Sequence, residues 1–427
     1  MSRKLDCSDY HVAWICPVAD IELLPARLML DEEYPTPPYD THYDENTYIC
    51  GSINGHTIVV ATCPPGQTGN VNAGRLTGSM FKTFLNIRMA VLVGIGGGIP
   101  SLTVSADSLE NIHLGDVVVG WPGDRKPACI YHDSGRSMGE GQLELMGTMQ
   151  DPDWRLLNAL GMLLSDNELG FTEFDKQLAR LHNSKAKKKF AHPGLEYDKL
   201  FKAAYRHDGD YGSNCTLCNQ SELVQRPQRS EEQKHSLVFH QGRIASGTAV
   251  IQDGIIRDQI RARCGGPLCV EMEAAGVDVN RRCLVIRGIS DYADTHKNDL
   301  WRSYAAGNAA AFARELLLRV VVSAVPAGQL QESARVPEIP SRSGSTIEEP
   351  RSAKHAPAPQ TSKAVSEKIT KIPKSSTLWS SAEDEMLLKV VQTAGSSNWK
   401  IVAQHFHRDD WACRKRYEKL MGRRHNA

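Results

Sequence analysis

From about residue 10 to residue 325 the chain alternates short apolar runs with stretches of helical spacing, and this alternation constrains the fold more than any other feature. Runs at 11–16, 57–62, 89–93, 116–120, 236–244 and 283–288 read as buried strands. Residues 21–31, 72–85, 154–165, 270–280 and 301–322 carry the period of amphipathic helices. A strand–helix alternation of this kind predicts an α/β domain with a mixed, mostly parallel sheet flanked by helices.

The alternation stops near residue 326. Residues 326–375 are rich in Pro, Ser, Lys, Glu and Ala and poor in apolar side chains, which predicts a disordered linker, because too little surface is buried to offset the entropy of ordering. Helical period and tryptophans return at 376–424, as expected of a small three-helix module. At 427 residues, two or more folded units are the natural expectation. Acidic and basic residues balance at 50 each, so no whole-chain field points to nucleic acid or membrane. Eleven scattered cysteines suit a reducing compartment. No apolar stretch is long enough for a signal peptide or a membrane span, and the expected location is intracellular, cytoplasmic or nuclear. Cys215 and Cys218 form the one close cysteine pair; His207 and His235 give no recognised zinc spacing with it, so a surface loop, no metal and no cofactor are expected.

Chemistry concentrates in two acidic signatures. Val270-Glu271-Met272-Glu273-Ala274 precedes the 283–288 run, and Ile289-Ser290-Asp291-Tyr292-Ala293-Asp294 follows it. Carboxylates at a helix start and at the C-terminal end of a buried strand stand where open α/β sheets bind ligands. One can grip hydroxyls while the other delivers a proton. A third element, Gly94-Ile95-Gly96-Gly97-Gly98, reads as a glycine-rich turn after a strand, able to approach a ligand closely. No dinucleotide-binding fingerprint is present.

In order along the chain, Val18 to Glu22, Gly94 to Gly98, Leu114-Gly115-Asp116, Ile244 to Ile251 and the two acidic signatures resemble the purine nucleoside phosphorylase / uridine phosphorylase superfamily. The resemblance spans residues 10–325 and is strongest to the methylthioadenosine nucleosidase subgroup, in a spelling like that of a fungal branch. It implies a nucleoside phosphorylase-like fold, purine nucleoside or nucleotide substrates and self-association into dimers or larger rings. It gives Asp291 the role of general acid toward purine N7, a role that partial burial at a strand end would favour. Glu273 would grip the ribose, Met272 would pack beneath it, and Val250 and Ile251 would frame the base, Val250 in place of a common aromatic. Ser290, Gly96 and Gly97 line the same region, and Glu271 pairs with Arg287 to stiffen it.

Two nucleophiles divide this superfamily. Phosphorylases hold phosphate with an arginine on the strand entering the glycine segment, where this chain has Leu92 and Val93. Nucleosidases activate water with an early glutamate, which corresponds to Glu22, with Asp20 its neighbour. Water is therefore favoured, with a phosphate-dependent phosphorylase and a non-catalytic nucleotide sensor as alternatives. Arg75 and Thr295-His296-Lys297-Asn298 stand either to meet a 5′-phosphate or to form a solvated surface. Residues 165–234 are an insertion of unknown role.

In the last segment Trp379, Trp399 and Tyr417 are spaced in the manner of a single Myb/SANT repeat, which 376–424 resembles. Residues 380–383 form a capping box. The third helix carries Arg414, Lys415 and Arg416, which the resemblance assigns to DNA or chromatin contact.

Overall fold

The computed structural model describes residues 5–123, 126–138, 143–146 and 149–322, together with 384, 387, 391, 413–417, 419 and 420. It divides into two compact units, Met1–Glu338 and Ile339–Ala427. The expected linker at 326–375, the capping box at 380–383 and the tryptophans 379 and 399 lie outside the described residues.

The first unit is the expected α/β domain. Its strands begin with β1 (Val12–Ile15), β2 (Glu32–Tyr34), β3 (Tyr48–Ile53), β4 (His56–Ala61), β5 (Met89–Gly98) and β6 (Val117–Gly120). They continue with β7 (Cys129–Tyr131), β8 (Gly135–Ser137), β9 (Leu143–Leu145), β10 (Phe239–Gly242), β11 (Ile244–Ser246), β12 (Cys269–Glu271) and β13 (Leu284–Asp291). The main sheet runs β10-β6-β13-β5-β1-β4-β3-β2, and β12 attaches to β5 and carries β11 and then β7. The central trio β13-β5-β1 is parallel, as are β1-β4 and β10-β6. Strands β6-β13, β12-β5, β3-β4 and β2-β3 pair antiparallel, so the sheet is mixed.

Period-two alternation sends the central strands' side chains into two cores. Val12, Trp14, Val91, Val93 and Ile286 pack on one face with Leu160 and Phe312. Ala13, Ile15, Ala90, Leu92 and Val285 pack on the other with Met80 and Phe84. The first face is covered by α1 (Ala19–Leu28), α3 (Trp154–Glu168), α4 (Phe174–His182) and α7 (Arg302–Leu317). On the second, α2 (Asn70–Thr83) packs against the short α6 (Ala274–Asp278), while α5 (Gly254–Arg263) joins a smaller cluster with Ala245 and Val270.

Three sequence expectations change. The glycines at 94–98 remain in β5 rather than forming a turn. Residues 270–280 split into β12 and α6, because Val270 and Glu271 join the sheet and the helix opens only at Ala274. The 236–244 run splits into β10 and β11, whose partners differ. No helix among the described residues is long and apolar enough to cross a membrane.

Candidate active site

Gly97 is where the two acidic signatures meet. On one side it pairs with Val270 of β12, on the other with Asp291 of β13. With neighbouring strands about 4.8 Å apart, the Val270 and Asp291 backbones stand about 10 Å from each other across a side-chain-free stretch of β5. The absence of Cβ atoms is required. One on Gly97 would meet Ala293 at 2.9 Å and Asp291 Oδ1 at 3.0 Å; one on Gly94 would lie 2.5 Å from Arg287 Nη1 and closer still to Glu22.

Asp291 ends β13 at a register shift after Ile289, which lets Ser290 stand as an extra residue and re-aims the side chain that follows. The carboxylate is buried, 5% exposed. Its Oδ1 accepts from the Ala293 N–H at 2.9 Å, and its Oδ2 accepts from Ser290 Oγ at 2.8 Å and from Lys297 Nζ at 2.6 Å. Lys297, expected to meet a phosphate or face solvent, is instead the partner of the proposed acid.

A second carboxylate group surrounds Arg287, whose guanidinium is fully buried. Its Nη2 lies 2.5 Å from Glu271 and 3.2 Å from Glu273, and Nη1 lies 3.9 Å from Glu22. Glu271 Oε2 also accepts from the N–H groups of Glu273 and Ala274, at 3.0 and 2.9 Å, so it locks the start of α6. The expected Glu271–Arg287 pair is present, enlarged to one cation among three carboxylates. Glu273, at the N-cap position of α6, accepts from Gly69 N–H at 3.2 Å and points back toward the loop preceding α2.

Burial sets Glu22 apart from its neighbour Asp20. Asp20 is exposed, whereas Glu22 is buried and accepts from Val18 N–H at 2.8 Å and from Ile95 N–H at 2.9 Å. Burial pushes its carboxyl up to about 7, against the pull of Arg287 and with help from Glu273. Burial likewise raises Glu273, with Arg287 opposing and Glu271 adding to the rise. The Arg287 guanidinium, which burial alone would depress, is held above its ordinary value by Glu271, Glu273 and Glu22. One cation among three buried carboxylates leaves room for a proton on Glu22 near neutrality, a state suited to proton exchange.

The remaining candidates fall around these two groups. Met272 is half-buried between Glu271 and Glu273, and Gly96 pairs with Ile289 of β13. Val250 is exposed, and Ile251 packs on the cluster containing Val270 and Ala293. Leu92 and Val93, at the position of the phosphorylase arginine, face opposite apolar cores. Arg75 is exposed in an ion pair with Glu45, and His296 is buried with its ring stacked 4.1 Å from Phe201. A separate cleft of about 680 Å³, lined by Trp121, Leu157 and Met162, includes none of these residues.

Residues 165–234 supply what the sequence did not disclose. Asp198 is buried against His113 at 2.5 Å and Arg226 at 2.9 Å, and it accepts from the hydroxyl of Tyr292, the neighbour of Asp291, at 2.5 Å. Burial alone would raise the Asp198 carboxyl, but Arg226 and His113 hold it below its ordinary value. From α5, Arg257 donates to the Tyr292 carbonyl at 3.0 Å. These groups grip the backbone just beyond the acid.

In the second unit Leu387, Val391 and Cys413 are buried, and Arg414 and Lys415 are exposed. Arg416 makes two 2.6 Å bonds to the Asp384 carboxylate, a bidentate pair joining two helical segments.

Residues 379–426 match the family described as Myb-like DNA-binding domain. Over 335 residues the chain is 36% identical to a nucleotide-binding leucine-rich repeat (NLR)-like protein of Hyaloscypha variabilis, a match covering 75% of this chain. The chain spans about a third of that relative, 31% of its length. Among solved structures it is similar to the 5′-methylthioadenosine/S-adenosylhomocysteine nucleosidase of Neisseria meningitidis, at 18% identity and a TM-score of 0.42 over 72% of this chain and 98% of that one. It is also similar to the futalosine hydrolase of Helicobacter pylori, at 16% identity and a TM-score of 0.41 over 72% and 97% of the two chains.

Proposed function

We propose that this chain, which resembles the purine nucleoside phosphorylase superfamily over residues 10–325 and carries a Myb-like segment near its C-terminal end, hydrolyses the N-glycosidic bond of purine nucleosides. The observation that supports this most is the placement of Asp291 at the end of β13 and of Glu273 just beyond β12, the two strands that flank β5 at Gly97, with Glu273 held to Glu22 through Arg287. A nucleoside laid over Gly96 and Gly97 reaches both. Glu273 accepts hydrogen bonds from ribose hydroxyls and steadies positive charge on the ring as the C1′–N9 bond opens. Asp291 delivers a proton to N7, so the departing base leaves neutral. Glu22 takes a proton from water as its oxygen bonds to C1′, giving free base and ribose.

Water is favoured over phosphate by the same group. A phosphate dianion beside Glu22 and Glu273 meets repulsion costing on the order of a few kcal/mol in a desolvated site, and Arg287 is already committed to carboxylates. Lys297, held by Asp291, supports nucleosides over 5′-phosphorylated substrates.

The test is chromatography of products from adenosine, inosine, guanosine, AMP and ATP, with and without phosphate. Free ribose in phosphate-free buffer is the expected product; strict phosphate dependence with ribose 1-phosphate overturns the reading in favour of a phosphorylase. Because Glu22 must be ionised to accept the water's proton, kcat/KM is expected to climb as pH rises through about 7. Glu22→Gln should flatten that climb, and an unchanged profile in the variant removes Glu22 from the role.

For the second unit we propose DNA contact through Arg414 and Lys415. A single repeat makes few phosphate contacts, so binding should be weak and fall steeply with salt. In a low-salt gel shift, Arg414→Glu/Lys415→Glu should abolish retardation. Arg416→Glu should instead lower the thermal stability of the unit by breaking its pair with Asp384. Retardation unaffected by the double change counts against DNA contact by this helix.

A further inference from the structure

The excursion closed by the Phe201–Leu223 bridge holds a side-chain cluster that the proposed reaction does not use. The expected surface loop is not what Cys215 and Cys218 occupy: both thiols are buried, at 8% and 4% exposure, in a small cluster with Phe201. His207 turns toward them. Its Nδ1 lies 3.3 Å from Cys218 Sγ and 3.8 Å from Cys215 Sγ, and the three potential ligand atoms all fall within 4.8 Å of one another.

We infer that His207, Cys215 and Cys218 form a zinc site. Zn–S and Zn–N bonds of about 2.3 and 2.0–2.1 Å at a tetrahedral angle place N and S about 3.5–3.6 Å apart, and the two observed separations bracket that figure. Two thiolates and an imidazole select a thiophilic ion such as Zn²⁺ over the oxygen-seeking Mg²⁺ or Ca²⁺. His207 Nε2 lies 3.0 Å from Ser213 Oγ, the outer partner that orients a ligating imidazole and leaves Nδ1 for the metal. The Asp208 N–H approaches Cys218 Sγ at 3.5 Å, a contact that favours thiolate. Three protein ligands leave a fourth position for a solvent molecule.

The arrangement also explains how an excursion with so small an apolar cluster keeps its shape. Loops of this length rarely hold a fixed conformation without support, and a metal crosslink supplies it. The support reaches the proposed active site. The His207 N–H donates to Thr295 Oγ1 at 2.9 Å, and the ring of His296 stacks on Phe201 and Tyr205. Thr295 and His296 belong to the loop whose Lys297 touches Asp291. The zinc site fastens that loop from behind.

The test uses the full chain, purified without chelators, with metal content measured by mass spectrometry. About one zinc per chain is expected, falling to background in Cys215→Ser/Cys218→Ser and reduced in His207→Ala. Exchange into Co²⁺ should give thiolate-to-metal charge-transfer absorption that the cysteine variant lacks. On the wild-type chain, which avoids any folding defect of the variants, added Zn²⁺ should slow alkylation of Cys215 and Cys218 and suppress proteolysis between 205 and 219. Zinc-free protein whose two thiols alkylate equally fast with and without Zn²⁺ overturns the inference. So does an intact mass showing the pair joined as a disulfide.

Discussion

Asp291→Asn is expected to lower the rate of base release by about 10²–10⁴-fold, the range for removing a positioned general acid, while leaving nucleoside binding nearly intact. The substitution is close to isosteric. An asparagine can still accept from the Ala293 N–H and remain beside Ser290, so the bulge at the end of β13 survives. What it cannot do is pass a proton to the purine. A loss of kcat with little change in KM, measured on the best nucleoside of the panel, marks an interaction made in the transition state. Binding lost along with turnover would assign Asp291 a merely structural role. Undiminished turnover would remove it from the chemistry altogether. A protein that binds nucleoside in both forms and releases base in neither would be the non-catalytic sensor.

Arg287→Met is expected to destabilise the first unit by about 3–5 kcal/mol, the usual effect of stripping one partner from a buried ion group. Here three carboxylates lose their shared cation at once, with Glu271 and Glu273 within 3.2 Å of it. The variant carries its own internal check. Without Arg287, burial and mutual repulsion raise Glu22 and Glu273 further above their ordinary 4.5. A carboxyl raised in the folded state favours folding below its unfolded value, and that contribution fades as pH rises toward the folded value. The stability gap between wild type and variant should therefore be small near pH 4.5 and widen toward neutrality and above. Thermal unfolding at several pH values measures it. A gap independent of pH would mean that lost packing, rather than uncompensated charge, explains the defect.

Much of this geometry was readable in the chain because the chemistry demands particular residue types at strand ends. Asp291 and Glu273 stood out as carboxylates flanking an apolar run, and the structure sets them on the two sides of β5. Glu22 and Asp20 both fall in the first turn of α1, and it is burial, invisible in the sequence, that sets them apart. The glycines misled in one respect: their spelling suits a turn, yet pairing with β12 and β13 keeps them extended, and Glu22, Arg287 and Asp291 fill the space that a Cβ would need. Residues 270–280 read as one helix because Glu, Met and Ala favour helices. Pairing of Cys269 and Val270 with β5 overrode that propensity. Lys297 was visible but its partner was not, because the turn at 292–296 folds it back onto Asp291. His207 lies far enough from Cys215 that only the closure of the excursion brings them together.

The segment between α4 and β10 sends Asp198 and Arg226 into the interior, where they hold Tyr292. It is thus no ornament that can be trimmed to make a leaner domain. Shortening it to a simple turn would empty a socket beneath the backbone that follows Asp291 and leave His113 without its anion. Changes that reach Asp198 or Arg226 should therefore loosen the end of β13, whereas changes confined to the segment's exposed rim should not.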